Sequence, residues 1–137
     1  MALGAQLYNT ISAMKKKFSV KARLASFKNA WRGVTVFVRQ EHNAWIHCTM
    51  TVLVIMAGLL FHVSTAEWIA VIFAIGLVLA AEAINSAIER LSDVVQPEKD
   101  ERIRDVKDIC AGAVLICAIT AAIIGIIVFL PKLLMLF

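Results

Sequence analysis

No glycine-rich phosphate loop is present. Neither a GxxxxGK run ending in Ser or Thr nor a GxGxxG turn occurs in the 137 residues, so the usual soluble nucleotide-binding folds find no support. Cysteine is scarce. Its three copies, Cys48, Cys110 and Cys117, form no CxxC and lie in apolar segments, which reads as small buried hydrophobes. No apolar stretch with a cleavage site precedes Lys15, Lys16 and Lys17, so no secretory signal is expected. His42, His47 and His62 form no ligand cluster. Internal repeats and low-complexity segments are lacking. The length suits one domain and leaves no room for a separate soluble catalytic unit. Any chemistry has to be built from helices and their polar ends.

What is abundant is hydrophobicity. The chain is 61% apolar with a mean hydropathy of +0.81, against roughly 45–50% apolar in soluble domains, and the excess is concentrated in long runs. That pattern defines an all-α integral membrane protein. The net charge is +4. The lysines and arginines flank apolar runs, so anionic headgroups or phosphates are the expected partners, not nucleic acid.

Residues 1–16 read as a tail and 17–137 as a single membrane domain. Leu24, Phe27, Trp31, Val34 and Val38 recur at steps of three and four, which predicts a basic amphipathic helix over 18–38 lying in the membrane interface. Spans are expected over 44–61, 68–91 and 109–130, with a polar, Pro97-containing connection after the second, and with Pro131 and Lys132 closing the third. Lys and Arg crowd the segment before the first span and the connection between the second and third; the connection 62–67 has none. The positive-inside rule then places the N-terminus and the later connection in the cytoplasm. Trp45 and Trp68 read as interfacial anchors, and Glu67 as a solvated outer charge.

The informative stretch is AEAINSAIERLSDVV, residues 81–95. At about 100° and 1.5 Å per residue, Glu82, Asn85, Glu89 and Asp93 share one stripe, with Glu82 and Glu89 about 10 Å apart along the axis. Glu82 lies deeper and Glu89 nearer the interface. An intramembrane carboxylate is costly and marks a functional site by default. Topology delivers Glu41, Lys107 and Asp108 to the same membrane surface. Paired carboxylates with a lysine suit a magnesium–nucleotide site, and a deeper Glu can accept a proton from a lipid hydroxyl. Plainer readings exist for each residue. Glu82 could be a structural carboxylate; Glu41 and Glu89 could cap helices or pair with Arg39 and Arg90. Lys107 could be a positive-inside anchor, and Asn85 interhelical glue.

EAINSAIE (Glu82 to Glu89) resembles the E-x-x-N-(S/T)-A-x-E signature of the small prokaryotic diacylglycerol kinase and undecaprenol kinase family. FKNAWRG (Phe27 to Gly33), EHN (Glu41 to Asn43), VKD (Val106 to Asp108) and AGAV (Ala111 to Val114) agree in order and spacing. The resemblance covers roughly residues 22–132. It implies an interfacial helix plus three transmembrane helices in a homotrimer with shared sites, in a bacterial inner membrane. It implies transfer of phosphate from ATP, with Mg²⁺, to a lipid hydroxyl. Diacylglycerol is the first expected substrate and undecaprenol the alternative. By motif, Glu82 is the general base, Glu41 and Glu89 hold the metal, and Asn85 orients base or substrate. Lys107, Asp108 and Asp93 contact nucleotide, with Asn29 and Arg23 added from the first helix. A rival of another class is a small proton-coupled transporter built on Glu82, which would leave Glu41, Lys107 and Asp108 without a role.

Overall fold

The computed structural model describes residues 19–136, and all regular structure in that range is helical. The expected tail over 1–16 and the first residue of the expected interfacial helix lie outside the described residues. Four helices follow in order: α1 (Val20–Gln40), α2 (His42–Leu60), α3 (Thr65–Val95) and α4 (Glu101–Leu134). The chain divides after Gly33 into two units.

In the first unit, α1 opens with the Ser19 hydroxyl accepting from the Ala22 amide at 3.3 Å. Ser26 returns its hydroxyl to the Ala22 carbonyl at 3.0 Å. Leu24, Phe27 and Trp31 are about two-thirds exposed or more (67%, 72%, 67%).

The second unit holds α2, α3 and α4, the three helices long and apolar enough to cross a membrane. Their boundaries follow local chemistry. Ser64 caps α3 by accepting from the Glu67 amide (3.4 Å), while Glu67 Oε2 accepts from the Ser64 amide (2.6 Å), a reciprocal capping box. Asp100 caps α4 by accepting from the Arg102 amide at 2.8 Å, and the Arg102 side chain folds back onto the same carboxylate. These contacts hold the Asp100 carboxyl down at about 2. The end of α2 closes with His62 at φ 50°, its amide donating to Leu59 and the Val63 amide to Gly58. That is a Schellman closure with histidine at the position glycine favours. Inside the spans, Thr51 and Thr120 satisfy their hydroxyls on the carbonyls of His47 and Ile116.

α3 and α4 run past the expected membrane spans. At about 1.5 Å per residue, α3 extends over ~46 Å and α4 over ~51 Å, beyond a hydrocarbon core of ~30 Å. α4 starts at Glu101 and continues through Pro131 to Leu134, although the proline has no amide to donate to the Ile127 carbonyl.

The core sits at the end of the bundle near the 62–64 connection. Val63, Val71 and Val128 are buried, with Val54, Phe61, Trp68, Ile75, Ile124 and Phe129 against them. The Phe61 and Phe129 rings meet at 6.3 Å in a tilted pair. The Trp68 indole packs on Gly58, where an added Cβ would stand 2.6 Å from its ring. Trp68 is therefore half-buried packing between α2 and α3 rather than a lone interfacial anchor. Glu67 is not a solvated charge either: Lys132 pairs with it at 3.0 Å and ties α4 to the start of α3. The three cysteines are half-buried, not buried, because α2 and α4 present much of their surface outward. A third of the most apolar window of α3 is buried, against 11% for α2 and 6% for α4; α3 is the central helix.

Candidate functional site

One face of α3 is covered along nearly its whole length, and its chemistry changes halfway. Val71, Ala74 and Val78 are buried, then Glu82, Asn85, Ser86 and Ser92. Steps of three and four from Val71 to Asn85, with Ser86 four residues after Glu82 and Ser92 seven after Asn85, keep these residues on one side of the helix. Glu82 is the most enclosed polar residue, 2% exposed. Its position is ~26 Å along the helix from Thr65, inside a ~30 Å hydrocarbon slab measured from the same end. Glu89 falls ~10 Å further on, ~36 Å from Thr65 and past the end of such a slab.

Asn85 bridges these two depths. Its Nδ2 donates to Glu89 Oε1 at 3.0 Å. Its Oδ1 is buried without a hydrogen-bond partner. Buried polar atoms are nearly always bonded, and an orphaned acceptor carries a penalty of about 1–3 kcal/mol. The group that removes it must be a donor, such as a hydroxyl. Glu82, one turn deeper on the same face, makes no side-chain hydrogen bond or ion pair among the described residues.

Glu41 sits at the break between α1 and α2. It is the N-cap of α2, yet its side chain caps nothing. Arg90 draws it away: Nε and Nη2 of Arg90 both donate to Glu41 Oε1, at 2.9 and 2.5 Å, and Nη1 donates to Gln40 Oε1 at 2.8 Å. Pairing with Arg90 is one of the plain readings the sequence leaves open for Glu41, beside capping and Arg39. The structure shows it, and adds Gln40, which sequence reasoning missed.

Lys107 pairs with Asp93 of α3 at 2.5 Å, while its neighbour Asp108 is exposed. Successive helical residues point about 100° apart, so Lys107 turns toward α3 and Asp108 turns away. Asp93 and Lys107 border a polar cavity of about 580 Å³ completed by the 96–101 connection and by Ile103 and Arg104. Arg104 was not singled out from the sequence; its place one turn before Lys107 was the available signal. Arg23 and Asn29 lie in α1 within the first unit.

Together these features define a membrane-embedded helical protein with a buried carboxylate below a polar, doubly charged surface. A family model described as "Prokaryotic diacylglycerol kinase" matches residues 28–129. The chain is 35% identical to an "Undecaprenol kinase" of Bacillus subtilis (strain 168) over 79% of its length and 88% of that protein. It is 37% identical to a "Diacylglycerol kinase" of Synechocystis sp. over 81% of its length, and spans 64% of that protein. The chain belongs to the prokaryotic diacylglycerol kinase family. It is a lipid kinase of the membrane, carrying out ATP-dependent phosphoryl transfer.

Proposed function

We propose that the chain phosphorylates the primary hydroxyl of diacylglycerol at the cytoplasmic surface of a bacterial inner membrane, with Glu82 as general base. The observation that carries this reading is the buried polar stripe: an unpaired carboxylate at Glu82 beside an orphaned acceptor at Asn85. The substrate hydroxyl donates to one of these acceptors as it enters, and Glu82 takes its proton. The alkoxide oxygen bonds to the γ-phosphorus of ATP as the bond from that phosphorus to the β-bridging oxygen breaks, and ADP leaves. Asn85 orients the pair by holding Glu89 with its amide.

Glu41 and Glu89 are the residues that would hold Mg²⁺. Each engages Oε1 within the chain, and neither Oε2 has a bond among the described residues. No group of three His, Cys, Asp or Glu converges on one point among the described residues. A pair of hard carboxylate oxygens suits Mg²⁺, which takes one or two carboxylates and fills its shell with phosphate and water. When bound, the cation supplies charge neutralisation on the phosphates. Lys107 adds a second positive charge there, with Asp93, Asp108, Asn29 and Arg23 as further nucleotide contacts. The exposed Leu24, Phe27 and Trp31 support an interfacial position for α1. The exposed apolar surfaces of α2 and α4 leave room for two further copies in a trimer with shared sites.

Undecaprenol is the second substrate reading, favoured by the relative of that name whose length is matched more fully. The test is transfer of labelled phosphate from ATP to each lipid by purified protein in mixed micelles. Transfer to diacylglycerol above undecaprenol supports the first reading; the reverse order supports the second. Transfer to neither would point to another lipid alcohol as the substrate.

A further inference from the structure

We propose that Arg90 is a positioning residue that makes cation binding at Glu41 conditional on nucleotide; this rests on the reading of Glu41 as a metal ligand. Three facts carry it. First, Glu41 occupies a helix N-cap without capping. A residue there normally turns its oxygen to the first amides of the helix; here the carboxylate is held sideways by another helix. Second, the hold is one-sided. Both contacting nitrogens of Arg90 fall on Oε1, at 2.9 and 2.5 Å. Oε2 is left for another ligand. Third, the third donor of Arg90 is fixed on Gln40 Oε1 at 2.8 Å, so the guanidinium spans both residues at the break between helices and sets the rotamer of Glu41.

The charge count gives the consequence. Glu41 and Glu89 supply two negative charges and Arg90, permanently protonated, one positive. The net charge of −1 is a weak site for a free divalent cation. A triphosphate adds several negative charges, and the same two oxygens then meet a strongly favourable field. Arg90 thereby holds Glu41 in place while suppressing occupation by free cation.

The test uses the full chain in detergent, with Mn²⁺ as the spin-active probe, titrated with and without a non-hydrolysable ATP analogue. In the unaltered protein, Mn²⁺ binds weakly alone and much more tightly with nucleotide. Arg90→Gln is expected to tighten nucleotide-free Mn²⁺ binding about tenfold or more and to shrink the enhancement by nucleotide. Arg90→Met, which keeps the aliphatic stem, should do the same and serves if the glutamine variant fails to fold. Arg90→Lys keeps the charge but loses the fork, so nucleotide-free binding should stay weak while KM for the magnesium nucleotide rises. Unchanged Mn²⁺ binding in both charge-removing variants overturns the proposal. Tightened binding that persists when Glu41→Gln is added to Arg90→Gln overturns the placement of the cation on Glu41, the reading beneath it.

Discussion

Asn85 donates its side-chain amide to Glu89 one helical turn away, at 3.0 Å, while its own carbonyl oxygen is buried and unanswered. The arrangement is poor for stability and well suited to recognition. An acceptor held in place by its other end can be satisfied by a hydroxyl, and in the proposed reading a molecule that lacks one leaves it unpaired.

Asn85→Ala separates these two roles. Removing the orphaned oxygen relieves a desolvation penalty, so the thermal midpoint in detergent should hold steady or rise. Phosphoryl transfer should fall by about 10- to 100-fold through loss of alignment. Equal loss of stability and activity would mean that the side chain is structural glue.

The Lys107–Asp93 pair makes the opposite prediction. Its side chains are 33% and 69% exposed, and exposed ion pairs contribute little to stability, about 0–1 kcal/mol. Lys107→Met should leave unfolding nearly unchanged but lower kcat/KM for the nucleotide by about 100-fold, from lost phosphate neutralisation. Asp93→Asn releases the lysine, and direct nucleotide-binding titrations of both variants check the split.

At the opposite end of the bundle, Gly58 admits the Trp68 indole, and an alanine Cβ would lie 2.6 and 2.9 Å from two of its ring carbons. Gly58→Ala should cost about 1–3 kcal/mol, as overpacked cores do. Trp68 has to move, so tryptophan fluorescence should shift with the thermal midpoint. His62→Gly should act in the other direction, because φ is 50° there and glycine removes a left-handed penalty of about 1–2 kcal/mol, less its own entropy cost.

The cap of α4 has a pH signature. Asp100 is held at about 2, below its ordinary value of 3.8, chiefly by hydrogen bonds from the Arg102 side chain and then its backbone amide. A depressed carboxyl contributes stability above its unfolded pKa and loses it as pH falls through the folded one. The contribution should be complete above about pH 4 and disappear toward pH 2. Carboxyl carbon shifts of Asp100 followed by NMR should show a midpoint near 2, returning to the ordinary range in Arg102→Gln.

The acidic stripe was legible in the sequence because helical period alone puts Glu82, Asn85, Glu89 and Asp93 on one face. The three spans were legible from their apolar runs. The polar, proline-containing residues 96–101 also marked where α3 stops near Val95 and α4 starts near Arg102, whereas the continuation of α4 through Pro131 to Leu134 was not legible. The pairings between helices were only partly readable. Glu41 with Arg90 was one of several options, and Gln40 as third member depends on how α2 and α3 pack. Glu67 with Lys132, and Lys107 with Asp93, join residues 65 and 14 positions apart, distances at which spacing carries no direction. The half-burial of the cysteines likewise reflects which helix is central, a property of packing rather than of the apolar runs themselves.

The most direct test of the account is single-turnover phosphoryl transfer by Glu82→Gln, beside nucleotide binding measured on the same preparation. Glutamine keeps the size and polarity of the side chain but cannot take a proton. The account predicts transfer reduced by about 10²–10⁴-fold, the usual worth of a general base, with nucleotide affinity unchanged. Transfer within a few-fold of the unaltered protein would contradict it, and would make Glu82 a structural residue.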